Sequence, residues 1–357
     1  MFCSFDFGGA EGESAQFEYA LTSLPFSTVL LTRLYFRCKR FVPWRVRLLL
    51  RQIHVARILK NCGNVWPIQE SAGRRPRGWP GWPDDKRFAV VLTHDVERQC
   101  GLNRVTQLAE LEMELGFRSS FNFVPEGEYT VPAPLRAWLT DRGFEVGVHD
   151  LEHDGCLYSS WKSFRRKAQR INNYLEEWNA VGFRSGFMLR NLEWIRELHI
   201  RYDASTFDTD PFEPQPNGVG TIYPFYVEGT HGRDGYVELP YTLPQDSTLF
   251  LLLKQQKSHQ IWQEKLGWIA QCGGMALVNV HPDYLTFGDK PHSFCSYPAA
   301  LYAEFLRWLK EKYAGEFWHV RPAEMARFVR SIALTKERRD QKVPASADVE
   351  AGTAFPA

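Results

Sequence analysis

The sequence has few cysteines, and none of them has the spacing of a cysteine metal site. There are seven cysteines in 357 residues, and no two of them form a Cys-x-x-Cys pair. An odd number at open spacing is not typical of a disulfide framework or of a zinc site built from cysteines. We therefore expect reduced thiols, as in a cytosolic protein.

Long apolar runs are also missing. The most apolar early stretch, residues 28–36, is interrupted by Arg33, and residues 249–253 are equally short. A membrane-spanning helix needs about 20 apolar residues, so we expect none. The first 27 residues contain acidic side chains and lack a basic segment before an apolar core, so we expect no secretory leader. These observations predict a cytoplasmic protein.

Excess charge of either sign is absent from the chain as a whole. The net charge is +1, which gives no reason to expect nucleic acid as a partner. Hydrophobic residues make up 44% and charged residues 24% of the chain, as in a globular protein with a substantial core. At about 100–200 residues per domain, the chain has room for one large domain or two ordinary ones.

Acidic residues are missing from one N-terminal stretch, between Glu18 and Glu70, which contains nine arginines and lysines. Within it, four apolar residues follow the i, i+3, i+4, i+7 spacing of one helical face: Val46, Leu49, Leu50 and Ile53. Such a basic helix either packs on the main domain with a solvated basic face or offers a surface to anionic lipid or an acidic glycan. We expect residues 1–83 to form a basic helical extension that ends in a connector rich in Pro, Gly and Trp.

Strand and helix patterns alternate after this connector. Strands are predicted at 88–93, 119–124, 144–148, 182–185, 202–207, 236–241, 275–280 and 317–320, and helices at 105–115, 135–141, 161–178, 192–198 and from 323. This alternation predicts an α/β domain at 84–334, with a parallel sheet that could close into a barrel. Residues 335–357 are predicted to be a disordered tail.

Polar side chains that can support catalysis cluster at the ends of these predicted strands. They are Asp95 and Glu97, His149 and His153, Arg184, Asp203 and Asp208, and His281. Parallel strands of a barrel end on one face, and active sites are built there. Residues far apart in sequence are therefore expected to share one pocket.

This set of side chains would suit a catalytic metal. His149 and His153 have the spacing of two imidazoles that can meet one ion, and a carboxylate from Asp95 or Glu97 would complete the set. The remaining carboxylate could act as general base and His281 could protonate the leaving group. Each feature also has a plain structural explanation, such as a helix cap or an ion pair of Arg184, and the joint placement favours the metal site.

The ordered set of motifs resembles the polysaccharide deacetylase family, the NodB-homology domain of carbohydrate esterase family 4. The matching segments are Thr93-His94-Asp95-Val96-Glu97, His149-Asp150-Leu151-Glu152-His153, Arg184-Ser185-Gly186 and Val278-Asn279-Val280-His281. The resemblance spans residues 87–330. It implies a distorted (β/α)7-type barrel, which agrees with the strand count.

The resemblance also implies roles for the metal and the acid–base pair. Asp95 matches the general base, and Glu97 would bind one divalent ion, with zinc the first choice, together with His149 and His153. The assignments of Asp95 and Glu97 could be exchanged. His281 matches the general acid.

Supporting roles follow from the same resemblance. Arg184 matches the residue that holds the base, and the backbone N–H of Phe187 would contribute to the oxyanion hole. Asp203 is favoured over Asp208 as the carboxylate that orients His281. Gly186 stands where the family has proline.

The implied reaction is hydrolysis of an acetyl group from an N-acetylated, or O-acetylated, sugar or polysaccharide precursor by metal-activated water. Two alternatives stay open. One is an amidohydrolase of a small non-sugar amide or cyclic imide, and the other is a glycan-binding barrel that has lost turnover through the Val96 and Gly186 departures. Expected partners are an acetylated carbohydrate and, through the basic helix, the periphery of a membrane.

Overall fold

The computed structural model describes residues 43–63, 65–230, 234–254, 259–288 and 293–340 of the chain. The α-helices are α1 (Trp44–Leu59), α2 (Gln99–Leu102), α3 (Val105–Leu115), α4 (Ala133–Asp141), α5 (Trp161–Glu177), α6 (Leu192–Ile195), α7 (Gln260–Cys272), α8 (Ala299–Lys312) and α9 (Pro322–Asp340). A π-helix spans Ser247–Leu252, and short 3-10 turns occur at Glu70–Gly73, Pro83–Asp85, Gly186–Met188 and Pro282–Tyr284.

The strands are short except for the first. They are β1 (Phe88–Val96), β2 (Ser120–Phe123), β3 (Glu145–His149), β4 (Gly182–Arg184), β5 (Tyr202–Asp203), β6 (Phe225–Val227), β7 (Tyr236–Glu238), β8 (Met275–Asn279), β9 (Leu285–Thr286), β10 (Tyr297–Pro298) and β11 (Phe317–His319). All eight predicted strands are present. β6, β9 and β10 were not predicted.

Nine of the strands in the described residues form one curled sheet in the order β11-β1-β2-β3-β4-β5-β7-β6, with β8 also paired to β1. All pairs in this sheet are parallel except β6 with β7. The gap between β7 and β8 is bridged by backbone bonds, because the N–H groups of Thr242 and Leu243 both donate to the carbonyl of Leu277. The predicted distorted barrel is confirmed, and all strands that carry predicted site residues end on one side.

Strand β1 is the centre of the barrel, because it pairs with β2, β8 and β11. Its nine residues are all buried, as expected of a strand that is covered on both faces. Alternation along the strand turns Asp95 toward the site and His94 toward the surrounding helices. On that outer side, both ring nitrogens of His94 are used, 2.9 Å from the carbonyl of Val280 and 2.9 Å from Glu112 of α3.

The N-terminal extension is helical where predicted. The face of the helix that packs on the barrel lies opposite the apolar row recognised in the sequence. Leu48 and Val55 of α1 are buried, and Gln52 Nε2 donates to the carbonyl of Leu251 at 2.8 Å. The four apolar residues whose spacing predicted the helix, Val46, Leu49, Leu50 and Ile53, are exposed. The connector is also more integrated than expected, since Trp66, Trp79 and Trp82 belong to the main hydrophobic core.

The far end of the domain departs from prediction in one respect. Helix α9 continues to Asp340, so the beginning of the predicted disordered tail is helical. Predictions for residues 1–42 and 341–357 lie outside the described residues.

Among the described residues, five cysteines are present and all have free thiols. None of the described helices combines the length and apolarity needed to cross a bilayer.

Candidate active site

Asp95, near the end of β1, is buried and receives three hydrogen bonds from other strands. Asn122 of β2 donates to Oδ1 at 3.0 Å, and Asn279 of β8 donates to Oδ2 at 2.8 Å. Arg184 of β4 approaches Oδ1 at 3.2 Å. Burial by itself would raise the pKa of Asp95, but the charges of Arg184 and of nearby imidazoles hold it well below its ordinary value. The Asp95 carboxylate is therefore ionised and rigidly oriented.

Arg184 is fully buried and hydrogen-bonds residues at the ends of several barrel strands. Its Nη1 donates to Thr93 Oγ1 at 2.9 Å and to Asn279 Oδ1 at 2.6 Å, besides its contact with Asp95. Its Nε donates to the carbonyl of Ala204 at 2.7 Å. The guanidinium thus fixes the ends of β1, β4 and β8 relative to one another.

Glu97, His149 and His153 come together at the mouth of the barrel. Each offers one ligand atom, and these atoms all lie within 4.8 Å of one another. His153 Nε2 is 3.4 Å from Glu97 Oε1. Atoms bound to one zinc ion at about 2.1 Å can be at most about 4.2 Å apart, so small side-chain rotations would suffice to bind it.

The tautomer of His149, with its hydrogen on Nδ1, is the one that a metal ligand needs. Its Nδ1 lies 3.1 Å from the carbonyl oxygen of Arg184, which can only accept, so Nδ1 carries the proton. Its Nε2 is buried and has no hydrogen-bond partner among the described residues. A buried imidazole lone pair without a protein donor is costly unless a ligand satisfies it. Metal-ligating histidines typically direct their other nitrogen at a carbonyl in this way.

Residues near the end of β8 hold Glu97 in place. The backbone N–H of Glu97 donates to Asp283 Oδ2 at 3.0 Å, and Tyr284 OH donates to Glu97 Oε2 at 3.3 Å. Burial, followed by the negative charge of Glu97, raises the pKa of Asp283 to about 7. Of the two carboxylates that the sequence left interchangeable, Glu97 is the one in the cluster, whereas Asp95 is enclosed by amide and guanidinium donors.

The second imidazole depends on an unusually tight turn. Asp150 and His153 both have positive φ, 57° and 50°, and the His153 ring stacks on Phe187 with centroids 4.3 Å apart. Gly186 lies directly against this turn. A Cβ at position 186 would be 2.6 Å from Asp150 Oδ2 and 2.9 Å from His153 Cδ2, so any larger residue here would displace one of these two side chains.

His281 faces the two acidic residues with one nitrogen and a buried carboxylate with the other. Its Nε2 is 3.9 Å from Asp95 Oδ2 and 3.8 Å from Glu97 Oε1. Its Nδ1 donates to Asp246 Oδ1 at 2.6 Å. Burial lowers the pKa of His281, but the Asp246 carboxylate, with smaller effects of Glu97 and Asp95, raises it to about 10.

Asp246, rather than Asp203, is therefore the carboxylate that orients His281, and the prediction of Asp203 was wrong. Asp203 instead accepts from Ser205 Oγ at 2.6 Å and lies beside Glu238. Asp208, the other candidate, pairs with Lys265 at 2.8 Å. Asp203 and Asp208 thus have other partners, whereas the Nδ1 atom of His281 is bound to Asp246.

Sequence reasoning missed Asp246 because it ends a Pro-rich segment after β7 rather than following a recognisable strand directly. In the structure its carboxylate accepts four hydrogen bonds. The donors are His281 Nδ1, the backbone N–H groups of His281 and Ser247, and Tyr297 OH. Nothing in the spacing of the residues after β7 linked Asp246 to His281.

The arrangement brings together a candidate metal site, an ionised carboxylate and a protonated imidazole within one pocket. The distances from His281 to Asp95 and Glu97 leave space for a small reacting group between them. Acid–base chemistry requires such groups within reach of the same atoms. The site can therefore support hydrolysis of an acyl bond.

Scans against protein-family models and against curated proteins found no match for this chain. Among solved structures, the chain is similar to a protein from Mycobacterium smegmatis that is described as a candidate polysaccharide deacetylase. The TM-score is 0.52 at 19% sequence identity, and the match covers 70% of this chain and 93% of that one. This similarity shows the shared barrel fold.

Two further structures are similar at lower scores. A peptidoglycan deacetylase from Bacillus subtilis has a TM-score of 0.42 at 14% identity, covering 72% of this chain and 98% of its own. A Bordetella bronchiseptica protein, described as a candidate polysaccharide deacetylase involved in O-antigen biosynthesis, has a TM-score of 0.38 at 18% identity. That match covers 73% of this chain and 94% of its own.

Proposed function

We propose that this protein is a metal-dependent hydrolase of the polysaccharide deacetylase type, which removes an acetyl group from an N-acetylated sugar or polysaccharide precursor. The observation that carries the proposal is the cluster of Glu97, His149 and His153 beside Asp95 and His281. This is the set of groups that amide hydrolysis needs. The shared fold of the Mycobacterium smegmatis protein supports it.

A divalent ion held by Glu97, His149 and His153 would supply Lewis-acid polarisation of the acetyl carbonyl and a water of lowered pKa. Two imidazoles and one carboxylate form a donor set that suits zinc or another first-row divalent ion. Three protein ligands leave a position open for water and substrate, as in catalytic sites.

Asp95 is the proposed general base. Its low pKa means that it is unprotonated at neutral pH and can accept a proton from the attacking water. Asn122, Asn279 and Arg184 hold its oxygens in fixed directions. Arg184 acts on this residue as a positioning group, since its charge keeps the buried carboxylate ionised.

His281 is the proposed general acid. Because Nδ1–H of His281 donates a hydrogen bond to Asp246, the Nε2 atom is the one directed at the reacting group. The raised pKa of His281 keeps the imidazole protonated at neutral pH, so it can donate to the amine that leaves. The neighbours of His281 keep it protonated and those of Asp95 keep it ionised, so the first can act as acid and the second as base.

The test is acetate release by the zinc-loaded protein from N-acetylglucosamine oligomers, with O-acetylated xylan and a simple cyclic imide as further substrates. We expect release from the acetylated carbohydrate. Turnover of the imide alone would favour a small-amide hydrolase, and tight glycan binding without release of acetate would favour a binding protein.

The matched variant is Asp95→Asn, which keeps the size of the side chain. We expect metal content equal to wild type and a loss of turnover of about a hundredfold or more, within the usual contribution of general-base catalysis. Loss of the ion in this variant would show instead that Asp95 is a ligand and that the roles of Asp95 and Glu97 must be exchanged.

A further inference from the structure

Helix α1 turns its more apolar face away from the protein. Val46, Leu49, Leu50 and Ile53 are 45%, 55%, 58% and 42% exposed. Their spacing places all four on one side of the helix. Soluble proteins rarely expose contiguous apolar patches of this kind without a binding role.

The opposite side of α1 is already used for packing. Leu48 and Val55 are 4% and 2% exposed, and Gln52 donates to the carbonyl of Leu251 in the π-helix. The helix is therefore anchored to the barrel by one face, and its outward apolar face is held in a fixed orientation. A rotation of α1 that buried the apolar face would break these contacts.

Basic side chains surround the exposed apolar row. At 100° per residue, Arg45 and Arg47 lie on either side of the row, and Arg57 continues it one turn beyond Ile53. The helix contains no aspartate or glutamate. The whole stretch between Glu18 and Glu70 is free of acidic residues. The surface is therefore apolar at its centre and cationic at its edges.

A fifth exposed apolar residue, outside helix α1, belongs to the same patch. Phe294 is 44% exposed, and the guanidinium of Arg45 lies 4.7 Å from the centre of its ring. Phe294 is close in sequence to Tyr297, whose hydroxyl donates to Asp246. The π-helix on which α1 packs begins directly after Asp246. The patch thus adjoins the segments that orient His281.

We propose that the outward face of α1, together with Phe294, docks this protein on a bilayer that contains anionic lipids, with the helix lying in the plane of the interface. Amphipathic helices with basic residues beside apolar ones bind such membranes through burial of apolar area and through attraction of the basic residues to anionic lipids. An acidic glycan would satisfy the arginines but leave Leu49 and Leu50 in water. A second copy would place one basic helix against another. The proposal does not depend on the hydrolase function.

The experiment is flotation of the full-length protein with phosphatidylcholine vesicles, with and without phosphatidylglycerol. We expect binding to the anionic vesicles that weakens as salt is added. Replacing both central leucines, Leu49→Glu with Leu50→Glu, should weaken binding by at least about tenfold, since the burial of two apolar side chains in the interface is lost. Leu334→Glu alters another exposed apolar residue, on α9, and should bind like wild type.

Several outcomes would overturn the proposal. They are no binding by the wild type, equal binding to neutral and anionic vesicles, and undiminished binding by the leucine variant. Self-association that the leucine substitutions abolish, without vesicle binding, would show that a second copy covers this face. A second variant, Arg45→Gln with Arg57→Gln, keeps the apolar row and should reduce binding only to the anionic vesicles. Its failure to do so would also count against the proposal.

Discussion

Replacing Asp246 with asparagine tests how the candidate acid is oriented. The carboxylate accepts two hydrogen bonds on each oxygen: His281 Nδ1 and Ser247 N–H on Oδ1, and His281 N–H and Tyr297 OH on Oδ2. In Asp246→Asn, one of these oxygens becomes an NH₂ group. Whichever way the amide lies, its NH₂ group then faces a backbone N–H, that of Ser247 or that of His281, which can only donate.

The size of the effect follows from the bonds that are lost. A hydrogen bond to a charged group contributes about 1.5–3 kcal/mol. Loss of the one that orients His281 should therefore reduce turnover by roughly ten- to a hundredfold, at 1.4 kcal/mol per factor of ten. The negative charge also disappears, so the pKa of His281 should fall from its raised value, because Asp246 is the main cause of the increase.

Two measurements check this prediction. One is turnover on the best acetylated substrate, and the other is an NMR titration of the His281 ring in histidine-labelled protein. Asp203→Asn is the matched control, because it changes another fully buried aspartate that hydrogen-bonds Ser205 rather than His281. We expect the control to leave the titration of His281 unchanged.

The reasoning would be refuted if His281 in the Asp246→Asn variant had the same pKa as in the wild type and the variant kept its turnover. It would equally be refuted if Asp203→Asn, and not Asp246→Asn, lowered the pKa of His281. In that case the sequence-based choice of Asp203 would be restored.

Two further predictions concern the support of the site. Gly186→Ala should weaken metal affinity and cost about 1–3 kcal/mol of stability, because its Cβ would overlap Asp150 and His153; equal zinc affinity by competition with a chelator would contradict this. Burial raises the pKa of Glu112, but its pairing with His94 outweighs this and lowers it below the ordinary 4.5. The stabilisation by the ionised Glu112 is therefore complete above pH 4.5 and is lost as the pH falls through the lowered value. Urea unfolding should show that Glu112→Gln is less stable than wild type at neutral pH and that the difference shrinks in acid; a constant difference would contradict the ion pair.

The barrel strands were predictable because their signal is local. Buried strands such as β1 read as continuous apolar runs, and the residues that follow them carry the chemistry. Strand β6 was missed because it is a three-residue antiparallel strand at the edge of the sheet. Helix α7 was missed as well, and its core-facing side includes Lys265, a polar residue whose burial depends on pairing with the distant Asp208.

The site was predictable to the extent that strand ends determine it. Positions at the ends of β1 and β3 singled out His149 and His153 with either Asp95 or Glu97, and the family resemblance favoured Glu97. The structure brings Glu97 and the two histidines together. The partner of His281 was not predictable in this way. Asp246 reaches His281 through a Pro-rich segment whose path depends on the packing of the whole barrel. No local sequence pattern predicts that path.

The orientation of α1 shows a limit of periodicity as evidence. The spacing correctly predicted a helix and one apolar face. It could not decide which face packs, because Leu48 and Val55 form a second, narrower apolar face whose fit to the barrel decides the matter. An apolar row indicates that a partner is needed, without indicating whether that partner is the protein's own core.

The most direct test of the account is the metal content of wild type and His149→Ala, measured by mass spectrometry after purification with zinc. His149 Nε2 has no hydrogen-bond partner among the described residues, so its removal should abolish metal binding without unpairing another side chain. We predict about one divalent ion per chain in the wild type and almost none in the variant, with both proteins folded by circular dichroism. Equal metal content in the two proteins would contradict the proposed metal centre.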